Sequence, residues 1–178
     1  MGVRPYILQP TEIGHQSPRR RNIPNRSGAR HPDMRIDHHV LTLTTGPAIH
    51  VLDLTPRLRG LLAQSGVRGG FVTVTSRHTT AAVVVNENEA RLLQDVREVY
   101  PRLIPPGDGY LHDDIELREC PPDEPRNAHA HLLAMLLGSS EVIPVVDGDL
   151  DLGTWQSVLL VELDGPRERT VSVQVCGE

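Results

Sequence analysis

The chain has 178 residues, a formal net charge of −5 at pH 7, and 18 arginines but no lysine. Its two cysteines, Cys120 and Cys176, form no Cys-x-x-Cys pair and are too few for a disulfide framework, so we expect a reducing, cytoplasmic location. No apolar run approaches the roughly 18 residues of a membrane span, and the acidic, aromatic-poor body of the chain disfavours nucleic acid. We therefore expect neither a membrane nor a nucleic-acid partner.

Residues 1–33 differ in composition from the rest of the chain. They carry six arginines against two acidic residues, contain five prolines and show almost no apolar periodicity. Such a segment buries too little apolar surface to offset its chain entropy, so we predict a disordered basic extension over 1–33. A start at Met34 or a targeting segment are the alternatives. Residues 34–178 are long enough for one domain with a substantial core.

The domain begins with signals for two strands and a helix. Alternating apolar residues predict strands over 35–44 and 48–54, and the intervening Gly46-Pro47 turn predicts a hairpin. Thr55-Pro56 is typical of a helix start, with Thr55 as the N-cap and Gly66 as the stop.

β-Branched runs predict two further strands, over 70–76 and 81–85, before a second helix from Glu87 to Val99. Asn86 is the predicted N-cap of this helix, and Glu89 stands where a capping box places its carboxylate. The same helix start offers free N–H groups that attract anions. Both interpretations of 86–89 stay open.

The second half of the domain contains a Pro/Gly-rich loop, a third helix and the last strands. We predict a loop over 101–109, an extended segment over 110–118, a helix over 128–137 capped by Asn127 and closed by Gly138, and strands over 142–146, 152–163 and 170–176. Runs of strands with few helices predict an α+β fold. We expect a compact single domain with a mainly antiparallel or mixed sheet and about three helices on one side.

His78 lies in the polar segment Ser76-Arg-His-Thr-Thr80, which interrupts two apolar strands. A histidine at this place is a candidate ligand or a general acid/base near neutral pH. The alternative is that the imidazole and the hydroxyls only satisfy backbone groups at a strand end. His112-Asp113-Asp114 presents a similar choice, because carboxylates beside a histidine can hold a divalent ion, fix a tautomer or simply be solvated.

His129 and His131 lie in Asn127-Ala-His-Ala-His131, at the start of the third predicted helix. Residues at i and i+2 do not share a helix face, so this is not the zinc motif of helical metalloproteases. The helix dipole disfavours a cationic imidazole at this end, which favours neutral rings suited to metal ligation or base catalysis. One core histidine and one exposed histidine is the alternative.

Two further segments carry candidate binding residues. Trp155 is the only tryptophan in the chain and is a candidate stacking surface for a heteroaromatic ligand, or else a core or interface aromatic. Arg167 and Arg169 follow a tight turn, where they are suited to phosphate binding or are merely solvated.

Four motifs, in this order and spacing, resemble the YjbQ family, also called secondary thiamine-phosphate synthases. They are Phe71 through Glu89, Tyr110-Leu-His-Asp-Asp114, Asn127-Ala-His-Ala-His131 through Gly138, and Ile143-Pro144 through Gln156. The resemblance runs from about Arg35 to Gly177. It implies the compact α+β fold of that family and a homotrimer.

The resemblance also implies functional positions and an activity. The recurrent polar positions of the family fall on His78, Thr79, Asn86, Glu87, His112, His131 and Trp155. His129 belongs to only one form of the helix motif. The implied activity is weak synthesis of thiamine phosphate from a pyrimidine pyrophosphate and a thiazole phosphate.

From these residues we predict catalytic roles for four side chains, substrate contacts for four others and a metal site. The catalytic residues are His78, His131, Asn86 and Glu87; the substrate contacts are Arg77, Thr79, Trp155 and Arg169; the metal ligands are His78, His112 and His131, with His129 as a further candidate. A histidine cluster suits Zn²⁺ or Ni²⁺ better than Mg²⁺, which prefers oxygen ligands.

Two other functions fit the same residues. One is a metal-dependent hydrolase or a protein that binds a small phosphate ligand, and the other is a non-catalytic trimeric binding module whose histidines only support the core. The prediction that separates these functions is convergence of His78, His112 and His131 on one point.

Overall fold

A computed structural model describes residues 34–178 of the chain, and the extension predicted over 1–33 lies outside the described residues. The elements are β1 (Arg35–Thr44), β2 (Ala48–Asp53), α1 (Thr55–Ser65), β3 (Gly70–Ser76), β4 (Ala81–Glu87), α2 (Ala90–Leu103), α3 (Ala128–Leu137), β5 (Ser140–Val146), β6 (Asp149–Leu150), β7 (Gln156–Gly165) and β8 (Glu168–Gly177). The predicted α+β class is confirmed. Among the described residues, no helix is long and apolar enough to cross a membrane.

The strands form two sheets rather than one. The five-stranded sheet has the order β1-β8-β3-β5-β6, and the three-stranded sheet has the order β2-β7-β4. All the strand pairs are antiparallel. The chain segments that join β1 to β2, β3 to β4, and β7 to β8 therefore cross from one sheet to the other.

The predicted hairpin of β1 and β2 is wrong. β1 pairs with β8, and β2 pairs with β7 in the other sheet. Thr45 explains why the chain separates at this point, because its backbone N–H donates to Arg167 O at 2.9 Å and its hydroxyl donates to the Glu162 carboxylate at 2.9 Å. These bonds tie the β1–β2 crossing to the β7–β8 crossing, so each strand finds its partner at long range.

The core has two parts, one on each side of the three-stranded sheet. The first part lies between the two sheets and also includes one face of α1. Its members are Val72, Val74 and Val173 of the larger sheet, Val83 and Leu160 of the smaller sheet, and Leu58 and Leu62 of α1. Ala82 and Val161, on the other face of the smaller sheet, pack with Ala130 and Leu133 of α3, and Val96 of α2 completes this second cluster. The alternation of apolar side chains along β4 supplies both clusters, since successive residues of a strand face opposite sides.

Local helix signals were confirmed for α3 and corrected elsewhere. α3 spans the predicted residues and ends before Gly138. α1 starts at Thr55, but the Thr55 hydroxyl accepts from Val158 N of β7 at 2.9 Å instead of capping its own helix. The helix is thereby attached to the three-stranded sheet.

The second helix begins later than predicted. Asn86 is not its cap, because β4 continues to pair with β7 through Glu87. Glu89 is the N-cap, and its carboxylate accepts from Arg91 N at 2.9 Å and Leu92 N at 2.8 Å. α2 then continues through Pro101 to Leu103.

The segment predicted as extended over 110–118 forms two short 3-10 turns, Leu111–Asp113 and Ile115–Leu117. These turns bring His112 and Asp113 over the start of α3. An extended segment would have carried successive side chains to opposite faces, whereas the tight turn keeps both residues at the helix end.

Candidate functional site

His78 lies in the crossing between β3 and β4 and is fixed by the neighbouring strand β8. Its Nε2 accepts a hydrogen bond from Thr170 N at 2.8 Å and lies 3.0 Å from the Thr170 hydroxyl. Because a backbone N–H can only donate, Nε2 is unprotonated and the neutral ring carries its hydrogen on Nδ1. Part of the alternative interpretation is therefore correct, since His78 does satisfy a backbone group.

The pKa of His78 is lowered from 6.5, first by burial and then by the positive charge of Arg169, while Glu162 acts in the opposite direction and Arg77 lowers it further. The ring is therefore neutral near pH 7. A neutral imidazole can donate a hydrogen bond from Nδ1 without bringing a second positive charge next to Arg77.

His131, in the first turns of α3, lines the same cleft as His78. Its pKa is lowered from 6.5 by burial first and then by His112, against the opposing effects of Asp164 and Glu124. The ring centroids of His131 and His112 are 4.7 Å apart, and the rings meet edge-on at 66°. A second neutral imidazole is thus held at the cleft wall.

The cleft has a volume of about 570 Å³, and the β3–β4 crossing and α3 form its walls. Its polar and apolar lining residues include Ser76, Arg77, His78, Thr79, His131, Met135 and Ser139. Four residues predicted from the sequence, Arg77, His78, Thr79 and His131, therefore meet around one space. A protein pocket of this size accommodates a small ligand.

The two 3-10 turns hold His112 against His131 through an arginine that the sequence analysis missed. Arg118 donates from Nη1 to His112 Nδ1 at 2.5 Å and to His112 O at 2.7 Å, and it forms a salt bridge with Glu124 at 3.2 Å. Because a guanidinium only donates, His112 Nδ1 is the acceptor and the neutral ring carries its hydrogen on Nε2. No local pattern distinguishes Arg118 from the other arginines of the chain.

Asp113, in the 3-10 turn Leu111–Asp113, caps the N-terminus of α3 although it lies outside the helix. Its side chain is 7% exposed, and Oδ1 accepts from Ala128 N at 2.9 Å. Asn127, the predicted cap, makes no such bond and instead donates from Nδ2 to Asp164 Oδ2 at 2.8 Å. The cap prediction for Asn127 was therefore right about the position and wrong about the side chain that makes the bond.

Unpartnered buried polar atoms are concentrated at this helix start. Within residues 34–178, the buried side-chain atoms without a hydrogen-bond partner are His112 Nε2, Asp113 Oδ2, Asn127 Oδ1 and His129 Nδ1. Most buried polar groups in proteins have partners, and leaving one unpaired costs about 1–3 kcal/mol. All four belong to the two segments that meet beside His131, but none of these residues lines the cleft.

Arg169, a predicted phosphate contact, is bonded to other residues of the protein instead. Its Nε and Nη2 each lie 2.6 Å from the Glu162 carboxylate, and Nη2 donates to the Thr80 hydroxyl at 2.9 Å. Both side chains of the ion pair are buried. These donors are therefore already used within the protein. Arg77, the other arginine predicted to contact substrate, is exposed and makes no salt bridge within residues 34–178.

Glu162 is a functional-looking carboxylate that the sequence analysis missed and that the structure explains as part of the fold. Burial acts to raise its pKa, but hydrogen bonds from Arg169, Asp164 N and Thr45 outweigh burial and lower the pKa below 4.5. A single carboxylate inside the apolar run of β7 was the signal that could have revealed this buried pair.

Glu87, Asn86 and Trp155 lie at the opposite end of β4 from His78. Glu87 pairs with Gln156 in the β4–β7 ladder, and a second cleft of about 300 Å³ is lined there by Glu87, Asn88, Glu89, Thr154, Trp155 and Gln156. Trp155 is 73% exposed. The Asn86 side chain accepts from Glu87 N at 2.8 Å. One chain therefore does not bring the predicted residues into a single site.

The predicted metal set does not form within the described part of the chain. Among residues 34–178, no group of three or more His, Cys, Asp and Glu side chains is placed to hold a metal ion. His112 and His131 are neighbours, but the Arg118 bond uses Nδ1 of His112 and the Thr170 bond uses Nε2 of His78. The donor atoms therefore do not fit a three-histidine metal site in a single chain.

Comparison with known proteins gives a consistent family. A family model described as UPF0047 protein YjbQ-like matches residues 39–178. A UPF0047 protein of Methanothermobacter thermautotrophicus is 41% identical over 145 residues, which cover 82% of this chain and 95% of that protein. A UPF0047 protein of Archaeoglobus fulgidus is 43% identical over 134 residues, which cover 75% and 97% respectively.

Solved structures agree with this assignment. A YbjQ-like protein of unknown function from Sulfolobus solfataricus superposes with a TM-score of 0.74 at 35% identity, covering 82% of this chain and 99% of that one. A hypothetical protein from Aeropyrum pernix gives a TM-score of 0.71 at 43% identity, covering 80% and 99%. The sequence motifs, the two-sheet fold and these relatives agree, and the chain belongs to the YjbQ family, also described as UPF0047.

Proposed function

We propose that the protein is an enzyme that acts on a small phosphorylated substrate in the cleft between His78 and His131. The observation that supports this proposal best is the meeting of an exposed arginine, hydroxyl groups and two neutral imidazoles around one space of about 570 Å³. The reaction that we assign is synthesis of thiamine phosphate, at a low rate, from a pyrimidine pyrophosphate and a thiazole phosphate.

Arg77 is the phosphate contact in this proposal. Its guanidinium is exposed at the cleft and makes no salt bridge within residues 34–178, and charge-assisted bonds from arginine to phosphate are among the stronger polar contacts in proteins. Thr79 and Ser139 add hydroxyl groups to the same lining. The cleft thus offers donors for a dianionic group without a glycine-rich phosphate loop.

The two imidazoles have complementary tasks in the assigned reaction. The thiazole nitrogen uses its lone pair to form a bond to the methylene carbon of the pyrimidine, while the carbon–oxygen bond to pyrophosphate breaks and its electron pair leaves with the pyrophosphate. Arg77 stabilises the charge that develops on this leaving group. The Nδ1–H of His78 donates to the leaving oxygen, and neutral His131 orients the thiazole phosphate or exchanges a proton with it.

The experiment is a coupled assay for thiamine phosphate with the wild type and the variants His131→Ala and Arg77→Ala. We expect His131→Ala to lose about 10²-fold or more in turnover, because it removes a group that exchanges a proton. We expect Arg77→Ala to raise KM and to lower turnover, because Arg77 binds the phosphate and stabilises the leaving group. Arg97→Ala, which removes an exposed arginine of α2 outside the cleft, is the matched control and should retain full activity. Equal rates for wild type and His131→Ala would remove His131 from the mechanism.

A phosphate-binding protein without turnover is the second candidate. The hydrogen bond of His78 favours it, because Thr170 N already occupies Nε2 and only the Nδ1–H is left to contact a ligand, which requires no chemistry. Calorimetric titration with the thiazole phosphate alone separates the candidates. Saturable binding that Arg77→Ala abolishes, without product from the complete substrate mixture, would establish a binding protein.

We also propose that the chain assembles as a homotrimer. The outer face of the five-stranded sheet supports an assembly, because it is not covered by another layer of the described residues and exposes Ile36, Val40, Phe71, Val142 and Val146. Contiguous exposed apolar patches of this kind mark protein–protein interfaces. Light scattering coupled to gel filtration gives the mass directly, and a mass of one chain at micromolar concentration would contradict this proposal.

A further inference from the structure

We infer that the complete site is shared between two copies of the chain, with the Trp155–Glu87 cleft of one copy closing over the His78–His131 cleft of the next. The Trp155–Glu87 cleft is the space lined by Glu87, Asn88, Glu89, Thr154, Trp155 and Gln156. The chemical assignment of this shared site rests on the proposed function, whereas the contact between the copies does not.

The two clefts lie at opposite ends of β4. Ala81 lines the His78–His131 cleft, Glu87 lines the other cleft, and both residues belong to the same seven-residue strand. Six steps of about 3.3 Å place the two clefts roughly 20 Å apart. A substrate the size of a phosphorylated heteroaromatic ring cannot reach both clefts of one chain, but it can reach both if a second copy supplies one of them.

The two clefts also carry opposite charges. Arg77 at one cleft and Glu87 at the other make no salt bridge within residues 34–178. Asp53 lies beside the Glu87 end, where its Oδ2 accepts from Asn88 Nδ2 at 3.2 Å. The Arg77 end is thus cationic and the Glu87 end anionic, so head-to-tail contact of two copies brings opposite charges together and like ends apart.

The exposed apolar side chains at the two clefts match in the same way. Met135 lines the His78–His131 cleft and is 81% exposed, and its neighbour Leu136 is 68% exposed. Trp155, at the other cleft, presents an uncovered indole. A flexible thioether packs well on an aromatic ring, and tryptophan is enriched at the centres of interfaces. Docking of Trp155 against Met135 would remove both side chains from water.

The two half-sites have the chemistry of one ligand class. The Arg77–His78 cleft supplies donors for phosphate, while Trp155 supplies a stacking surface and Glu87 an acceptor for an exocyclic amino group. Together they suit a phosphorylated, electron-poor heteroaromatic amine. The pyrimidine pyrophosphate of the proposed reaction is a compound of this class.

The contact is heterologous, because different surfaces of the two copies meet. Repetition of a heterologous contact closes into a ring when the rotation permits it. Each junction of the ring then contains one complete site, and the number of sites equals the number of copies. The outer face of the five-stranded sheet is left free to pack around the ring axis.

Fluorescence of Trp155 tests the contact without any measurement of activity. Trp155 is the sole tryptophan of the chain, so emission and acrylamide quenching report on this residue alone. We expect a blue-shifted emission and quenching several-fold weaker in the assembled protein than in Met135→Glu, which places a carboxylate against the acidic partner surface. Leu117→Glu is the control, because Leu117 is 84% exposed and lies outside both clefts. Equal quenching of wild type and Met135→Glu, each folded by circular dichroism, would overturn the shared contact.

Mixed assemblies test the shared chemistry. His131→Ala and Glu87→Gln chains, carrying different affinity tags, are co-expressed and the mixed oligomers are isolated by two successive purifications. Every mixed ring contains at least one junction at which both surfaces are wild type, so activity should return to roughly one third of the wild-type value in a trimer. Mixed rings as inactive as either parent would overturn sharing and place both residues in the site of one chain.

The two experiments separate failure of this inference from failure of the proposed function. If the wild type makes no thiamine phosphate, the proposed function fails, and the fluorescence experiment still decides whether Trp155 docks on a second copy. If the wild type is active and Trp155 is freely quenched in the assembled protein, the function stands and the shared site is wrong.

Discussion

The crossing between β7 and β8 and the start of α3 both bury polar groups, but they do so in opposite ways. At the crossing, the Glu162 carboxylate is bonded by Arg169, Thr45 and the backbone N–H groups of Leu163 and Asp164. At the start of α3, four buried atoms of residues 112–129 have no partner. Glu162 is thus fully hydrogen-bonded by its own chain, whereas the start of α3 buries polar atoms that the described residues leave without a partner.

Burial also distinguishes two arginines that are both close to strand ends in the sequence. Arg77 follows the end of β3 and Arg169 lies at the start of β8, yet Arg169 is bonded to Glu162 and Thr80, whereas Arg77 is exposed and makes no salt bridge within residues 34–178. Burial of a charge is tolerated when it is paired and hydrogen-bonded, and this condition is met at Glu162 within its own chain. Substitution in the pair of Glu162 and Arg169 should therefore have the largest effect on stability.

Glu162→Ala should destabilise the protein most. It leaves Arg169 buried without its counter-charge, and breaking one side of a buried ion pair costs about 3–5 kcal/mol. Urea denaturation measures the free energy of unfolding. The double variant Glu162→Leu/Arg169→Met is the control, and it should be more stable than Glu162→Ala because it buries no unpaired charge. A cost below about 1 kcal/mol for Glu162→Ala would contradict the structural role of the pair.

Asp113→Ala should have the next largest effect. Asp113 Oδ1 accepts from Ala128 N, and loss of a helix cap costs about 1–2 kcal/mol. Asp113→Asn keeps an acceptor at this position and should lose less of the free energy of unfolding. If the two variants are equally unstable, the charge of Asp113 rather than its hydrogen bond to the first turn supports α3.

The contrast between the two regions also shows what could be predicted from the sequence. The limits of α3 follow from local signals, since a polar segment, an apolar run and Gly138 stand in order. The pairing of β1 with β8 depends on Thr45 and Arg167, which are far apart in the chain. Likewise, the residues Arg169 and Glu162 lie on opposite sides of a turn, and the local pattern of charges could not show that they are buried together.

The candidate site was predicted in part for the same reason. Arg77, His78 and Thr79 are consecutive residues, and only the addition of His131 required the fold. Glu87 was grouped with them because of its order in a motif, but β4 is extended and carries it to the opposite end of the strand. Sequence motifs group residues by their order along the chain without showing which of them meet in one chain.

A pH dependence of stability should follow from the neutral histidines, and it should be smaller than the effects above. The pKa values of His78 and His131 are lowered from 6.5 in the folded protein. The unfolded chain therefore takes up protons first as pH falls, and the stability that these rings contribute is complete above pH 6.5 and lost as pH falls through their folded-state pKa values. Urea midpoints between pH 8 and 5.5 measure this change, and His78→Gln should flatten it. An unchanged slope in His78→Gln would show that other groups cause it.

Removal of an exposed ion pair should have the smallest effect, and it completes the comparison with Glu162 and Arg169. Arg59 and Asp149 form a salt bridge at 3.0 Å, but both side chains are more than half exposed. Water solvates both charges after the pair is broken, and exposed pairs of this kind contribute little to stability. Arg59→Gln should leave the urea midpoint unchanged within experimental error, at low and at high salt. A loss comparable with that of Glu162→Ala would show that the pairing of charges stabilises this protein even where both side chains are exposed.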